Sequence, residues 1–107
     1  MSQVIQTNSS SDKPRLRGCK VALGRTVMTR SVADLVAVGR VNPLCYIARH
    51  AVCDWGDVCA EDWCANNWAM QNGERLLSVY QVATNLSIWV ITEWDRSVTT
   101  VLLPSDS

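Results

Sequence analysis

The stretch Leu76–Leu103, LLSVYQVATNLSIWVITEWDRSVTTVLL, decides the fold class of this 107-residue chain. It is rich in Val, Ile, Thr, Tyr and Trp, which favour β-strands. Strands are predicted at Leu76–Ala83, Ser87–Glu93 and Val98–Leu103. The two gaps between them are short enough for hairpin turns. The stretch therefore predicts a three-stranded antiparallel meander.

The residues before the meander carry helix signals instead. Three helices are predicted, with start signals at Thr29 or Ser31, at Asn42 followed by Pro43, and at Asp57. Predicted ends lie at Gly39, near Ala51 and at Asn72-Gly73. A short strand is predicted within residues 21–28, and an edge of the meander is one position open to it. This order predicts an α+β fold: a short N-terminal strand, three helices, then the meander with the helices packed on one face.

Composition favours one globular domain. Hydrophobic residues make up 48% of the chain and charged residues 19%. The polar residues 1–18 are predicted to form a flexible N-terminal arm, and residues 19–107 a single domain. No apolar run approaches the roughly 18–20 residues that span a bilayer, and the N-terminus lacks the apolar segment of a secretory signal. We therefore expect a cytoplasmic protein with no membrane partner.

Cysteine content and charge add two expectations. An odd number of cysteines, five, in a chain without an export signal favours free thiols in a reducing compartment. Residues 1–40 hold seven basic against two acidic side chains, a net charge of +5, whereas residues 41–107 carry −5. Such a dipolar chain is suited to a charged partner of either sign, or to a homo-oligomer.

Three stretches resemble a family of small, uncharacterised plasmid-related proteins of bacterial plasmids and integrative elements. They are RHAVCDWGDVCAEDWCANNWAMQNGERLLSVY (49–80), IWVITEWDRSVTTVLLP (88–104) and, more weakly, RTVMTRSVADLV (25–36). The chain departs from the family where Cys53 replaces the usual glycine, where Thr29-Arg30-Ser31 replaces Thr-Pro-Gly, and in ending on Asp106-Ser107 without the closing aromatic. The resemblance implies an origin in a mobile element and transfers no catalytic residue.

Reactive side chains are densest between His50 and Asn67. A zinc site would use His50, Cys53, Cys59 and Cys64. However, no CxxC pair is present, and Cys59 and Cys64 are about 140° apart on a helix. Buried structural cysteines are the preferred interpretation, and no cofactor is expected.

The carboxylates of the same stretch offer an enzymatic alternative. A metal-dependent hydrolase would use Asp54, Asp57, Glu61 and Asp62 as hard oxygen ligands. Acids near a helix start also cap the helix and favour its dipole, and that structural role is preferred. No nucleophile elbow or phosphate-binding glycine loop occurs in the sequence. An enzyme therefore has no support from a motif.

Protein binding is the function we expect. The predicted partner-binding residues are Trp55 with the acidic Asp54, Asp57, Glu61 and Asp62, together with the hairpin residues Trp94, Asp95 and Arg96. The identity of the partner is open. One concrete form is stoichiometric inhibition of a host defence complex.

Trp63 and Trp68 are five residues apart on the third helix, so at most one of them faces the core squarely.

A nucleic-acid-binding regulator is the second alternative. It would contact phosphates through basic residues of the arm and the segment after it: Lys13, Arg15, Arg17, Lys20 and Arg25. The aromatic residues lie in the acidic half of the chain, so they do not alternate with these basic residues as they do in single-strand binders. A solvated arm is the preferred interpretation.

Overall fold

The computed structural model describes residues 13–107, so most of the predicted flexible arm lies outside the described residues. The elements are strand β1 (Arg25–Met28), helices α1 (Arg30–Ala37), α2 (Pro43–Ala51) and α3 (Ala60–Asn72), strands β2 (Leu76–Ala83), β3 (Leu86–Thr92) and β4 (Val98–Leu102), and a 3-10 turn (Pro104–Asp106). This order confirms the α+β class, the short N-terminal strand and the three helices. None of the helices within residues 13–107 combines the length and hydropathy that a bilayer crossing requires.

The four strands form one mixed sheet in the order β1-β4-β3-β2. β2, β3 and β4 are antiparallel neighbours, as their short connections predict. β1, however, pairs with β4 in parallel, placing Thr26 opposite Thr99 and Met28 opposite Val101. The prediction of a three-stranded antiparallel sheet is therefore incomplete. All three helices and two strands separate β1 from β4, and such a long connection lets two strands run in the same direction.

Local capping signals fix the first two helices. The Thr29 hydroxyl accepts a hydrogen bond from the Val32 backbone N–H at 3.4 Å, and the Asn42 side chain accepts one from the Leu44 N–H at 3.2 Å. Each bond satisfies an amide that the first turn leaves without a partner. The predicted starts of these helices are thus confirmed.

The start of α3 differs from the prediction. The helix begins at Ala60 after Cys59, which makes no side-chain capping bond. Asp57, predicted as the cap, instead accepts a hydrogen bond from the Gln81 backbone N–H at 2.8 Å. Asp57 thus bonds to a distant strand and not to the start of its own helix, and a capping pattern in the local sequence does not reveal such a contact. At the other end of α3, Gly73 adopts the left-handed conformation and closes the helix as predicted.

Two clusters of buried side chains form the core. The first joins helix α3 and its preceding loop to the start of β2, through Cys53, Trp55, Val58, Trp63, Ala69 and Leu76. The second joins α1 to the sheet, through Val32, Val41, Tyr80, Ile88, Val90 and Val101. Since Trp55 and Tyr80 are both fully buried, these large aromatic side chains supply much of the apolar contact.

Cys19 and Cys53 form a disulfide, which contradicts the expectation of free thiols at these two positions. Cys53 has a φ of 65°, in the left-handed region that favours glycine. Cys45, Cys59 and Cys64 are free and exposed.

Candidate functional site

Among the predicted partner-binding residues, those of the Asp54–Asp57 loop differ most from the prediction. Trp55 is fully buried, and its Nε1–H donates to Asn67 Oδ1 at 2.9 Å. Its ring packs edge-on against the His50 imidazole, with 5.4 Å between centroids. Trp55 is thus a core residue, and in this structure it has no exposed surface that a partner could contact.

The same loop closes one edge of the sheet. The Val79 N–H donates to the Trp55 carbonyl at 3.2 Å, and the Asp57 N–H donates to the Val79 carbonyl at 2.6 Å. Gly56 has a φ of 78°, and a Cβ there would overlap the Val79 carbonyl oxygen. The Asn66 side chain satisfies both backbone groups of Leu77, at 2.6 and 3.1 Å. Covering an edge strand in this way prevents it from pairing with another chain.

Asp54 is held by its neighbours. Its Oδ2 lies 2.7 Å from Arg49 Nε, and its Oδ1 accepts the Gly56 N–H at 3.1 Å. Partial burial raises the pKa of Asp54, but the hydrogen bonds from Arg49 and Gly56 outweigh it and hold the pKa below its usual value. Its carbonyl accepts the Tyr80 hydroxyl at 2.5 Å. Asp54 is therefore committed to an internal ion pair.

Arg96 links the β3–β4 hairpin to the C-terminal end of α3 through hydrogen bonds. Its guanidinium donates to the carbonyls of Glu74 at 2.6 Å, Glu93 at 3.1 Å and Ala69 at 3.3 Å. A cation at the carbonyl end of a helix is favoured by the helix dipole. The residue has a φ of 61°, which matches a tight turn. Its guanidinium is thus engaged by backbone carbonyls.

Asp95 closes the same turn. Its Oδ1 accepts hydrogen bonds from the Ser97 hydroxyl at 2.7 Å and the Ser97 backbone N–H at 3.1 Å. These bonds lower the pKa of Asp95 below its usual value. The carboxylate remains exposed, so it stays available to a partner.

Two tryptophans near Arg96 face solvent. Trp94 is 65% exposed and Trp68 58% exposed. Arg96 reaches the carbonyl of Trp94 at 3.4 Å and that of Ala69, the residue after Trp68. One guanidinium therefore joins the backbone segments that carry both indoles. The predicted site omitted Trp68, although the five-residue spacing from Trp63 indicates that one of the two faces outward; Trp63 is the buried one.

The remaining acidic residues lie along the start of α3. Glu61 and Asp62 are exposed in its first turn. Asp57 and Asp62 lie on the rim of a cleft of about 400 Å³ that Cys59, Ala65 and Val79 also line. Within residues 13–107, no three His, Cys, Asp or Glu side chains are grouped closely enough to hold a metal ion. The acids predicted for a hydrolase therefore do not converge there.

The four residues of the zinc alternative are dispersed. His50 is buried in the core and Cys53 is bonded to Cys19. Cys59, just before α3, and Cys64, within α3, are both exposed. In this arrangement the sulfur of Cys53 is a disulfide sulfur, not a thiolate, so it does not serve as a zinc ligand.

His50 is the centre of a buried chain of hydrogen bonds. The Thr99 hydroxyl donates to the Leu23 carbonyl at 2.7 Å, so its oxygen accepts from Thr92, also at 2.7 Å. Thr92 therefore accepts from His50 Nε2 at 2.9 Å, and Nδ1 accepts from the Ser78 hydroxyl at 2.6 Å. The chain of hydroxyl groups places a proton on Nε2. Burial lowers the pKa of His50 and so favours the neutral imidazole, in which Nδ1 carries no proton and accepts from Ser78.

This network predicts a specific pH dependence of stability. Burial first, and the charge of Arg96 second, lower the pKa of His50 from 6.5 to about 4. The unfolded chain therefore takes up a proton before the folded chain does. The stability that the neutral His50 contributes is fully present above pH 6.5, and this contribution is lost as the pH falls from 6.5 towards 4. The loss should total about 3 kcal/mol.

Urea unfolding at a series of pH values measures this loss. The pKa values of Asp54, Asp95 and Asp106 are lowered from 3.8, so the stability that these carboxylates contribute is lost mainly below pH 3.8, and this pH range is separable from that of His50. In a His50→Gln variant the fall in stability between pH 6.5 and 4 should disappear. An equal fall in that variant would contradict a titrating His50.

The basic residues of the nucleic-acid alternative do not all extend freely. The ammonium of Lys13 lies 5.7 Å from the centroid of the Trp63 ring. The Pro14 carbonyl accepts hydrogen bonds from Trp63 Nε1 at 2.6 Å and from Asn67 Nδ2 at 2.9 Å. The described end of the predicted arm thus lies against α3. The other four residues, Arg15, Arg17, Lys20 and Arg25, are exposed.

Comparisons of the chain with protein-family models, with curated proteins and with solved structures found no match.

Proposed function

We propose that this chain is a non-enzymatic protein-binding protein whose docking surface lies at the junction of α3 and the β3–β4 hairpin. We call this region the tryptophan surface; it comprises Trp68 and Trp94 with the acidic residues Glu74 and Asp95. The observation that carries the proposal is the exposure of two indoles on segments joined by one arginine.

Exposed indoles at a fixed position are suited to recognition. An exposed tryptophan keeps a large apolar area in contact with water, and its burial by a partner is favourable. Tryptophan is also among the residues that contribute most to protein interfaces. Arg96 keeps the two backbone segments in place, so less ordering is required on binding. A tryptophan surface of this kind has the properties of an interface core.

Charge indicates the chemistry of the partner. Glu74 and Asp95 are exposed beside the indoles, and Asp57, Glu61 and Asp62 extend the acidic character to the start of α3. An interface is usually complementary in electrostatic potential. We therefore propose a partner with a basic rim around an apolar centre.

The proposal of a non-enzymatic role is supported by the position of the imidazole. His50 is fully buried, and both ring nitrogens are bonded to hydroxyl groups of the core. It is therefore not placed to act as a general base towards an external substrate. The resemblance to plasmid-related proteins suggests a protein of the host or of the element as the partner. Stoichiometric inhibition of a host defence complex is the concrete form we propose.

A pull-down from host lysate tests the surface. The double variant Trp68→Ala/Trp94→Ala should lose the specific partner, because each exposed indole at an interface centre contributes about 2 kcal/mol. Stability should stay within about 0.5 kcal/mol of the parent protein, since surface substitutions remove few internal contacts. Val38→Ala is the matched control, because Val38 is 69% exposed.

Recovery of the same partners by the double variant would contradict the proposal. Recovery of nucleic acid in place of protein, with release at high salt, would favour the basic-residue alternative.

A further inference from the structure

The two edges of the sheet differ in how they are protected. The β2 edge is closed by the Asp54–Asp57 loop and by Asn66, whereas β1 forms the opposite edge. All residues of β1 are exposed. The N–H of Arg25 donates to the carbonyl of Ser97, just before β4, and the N–H of Thr29 donates to the carbonyl of Val101 in β4. Because backbone groups alternate sides along a strand, those of Thr26 and Met28 point away from the sheet.

An apolar groove runs beside this open edge. It has a volume of about 320 Å³ and is lined by Met28 of β1, Val36 of α1, Leu44 and Ile47 of α2, and Val101 of β4. Leu44 is 72% exposed and Met28 43% exposed. The outward backbone groups of β1 have no strand partner among residues 13–107. Such groups beside an apolar groove accept an added strand, with backbone bonds for affinity and a groove for alternate side chains.

The charges around the groove are basic. Arg25 is the first residue of the edge strand β1, Arg30 begins α1, and Arg40 lies two residues before Asn42 at the groove. All three are exposed, and none forms an ion pair with another described residue. Asp106, near the end of β1, already accepts hydrogen bonds from Thr29, Ser31 and Leu103. Asp106 keeps its negative charge, but the three arginines outnumber it, so the edge has an excess of positive charge that suits an acidic ligand.

We propose that β1 binds an extended peptide segment of a partner protein, with alternating apolar residues and acidic ends, as an added fifth strand. A second copy of the chain is a poorer occupant, because pairing β1 with β1 would bring Arg25, Arg30 and Arg40 of both copies into one interface. The groove shares no lining residue with the tryptophan surface, although Arg25 at the start of β1 bonds to Ser97, which follows the hairpin residues Trp94 and Asp95.

The probe is a fluorescent peptide of about ten residues, alternating valine and threonine, with glutamates at both ends. Fluorescence polarisation with the full chain should give saturable binding with a Kd of about 10–100 µM. The same peptide with lysines in place of the glutamates should bind at least about tenfold more weakly. N-methylation of the alternate amides that face β1 should abolish binding, whereas N-methylation of the other set should not.

Two glutamate variants locate the site on the chain. Leu44→Glu should weaken binding at least about tenfold, because it places a charge in the groove and repels the acidic peptide. Val38→Glu is matched in exposure and in added charge but lies outside the groove, so it should change the Kd less than about twofold. Trp68→Ala/Trp94→Ala should leave the Kd unchanged, which distinguishes a failure here from a failure of the tryptophan surface.

Three results would overturn the proposal. The first is no saturable binding up to about 1 mM peptide. The second is equal weakening by Leu44→Glu and Val38→Glu. The third is a dimer, seen by light scattering, that Leu44→Glu dissociates; this would assign the edge to a second copy.

Discussion

Replacing Trp55 with alanine should lower the free energy of unfolding by about 4 kcal/mol, because truncating a buried tryptophan removes packing and leaves a cavity. Trp55 has no solvent-exposed surface, and it contacts His50 and Asn67. The substitution also leaves the Asn67 amide oxygen without its indole donor. The loss is therefore at the upper end for a single substitution.

Urea denaturation followed by circular dichroism measures this loss. Trp94→Ala is the matched control, because Trp94 is 65% exposed. It should change stability by less than about 0.5 kcal/mol. Similar unfolding midpoints for the two variants would contradict the assignment of Trp55 to the core.

Reduction of the Cys19–Cys53 disulfide should lower the free energy of unfolding by about 4 kcal/mol, the chain-entropy estimate for closing a loop of this length. The two cysteines are separated by 34 residues, and the bond joins the segment before β1 to the residues after α2. Cys64→Ser, which removes an exposed free thiol, should leave stability almost unchanged.

Thiol counting tests the same bond independently of stability. Alkylation of the oxidised protein in denaturant should modify three cysteines, and alkylation after reduction should modify all five. Denaturant is required because Cys53 is fully buried. Five modified cysteines without reductant would show that the bond is absent from the purified protein.

The features that local sequence predicts are those that local interactions determine. Thr29, Asn42 and Gly73 act at helix ends as expected, because a cap bonds within a few residues of itself. The hairpins joining β2, β3 and β4 follow from strand composition and short gaps for the same reason.

The features that escaped prediction depend on distant segments. The parallel pairing of β1 with β4 joins residues more than 70 positions apart. Asp57 was assigned to capping because its bond to Gln81 requires β2 to lie beside the loop. The disulfide likewise required Cys19 and Cys53 to meet in space. No periodicity within a single element encodes such contacts.

The candidate site shows the same division. Sequence placed Asp54, Trp55 and Asp57 among the partner-binding residues, and the structure gives the Asp54–Asp57 loop a role in closing the sheet edge. The exposure of Trp94 was expected from its place in a hairpin, whereas Trp68 could not be distinguished from Trp63 by spacing alone. Residue type thus indicated the region, and the fold determined which side chains face solvent.

Site-specific photo-crosslinking tests the central claim, that a protein partner docks on the tryptophan surface. A photoreactive benzoylphenylalanine in place of Glu74 leaves both indoles intact, and one in place of Asn85, in the β2–β3 turn, is the control; both positions are exposed. Our account predicts that the probe at position 74 crosslinks to the partner recovered from lysate and that the probe at position 85 does not. A crosslink at 85 with none at 74 would contradict it.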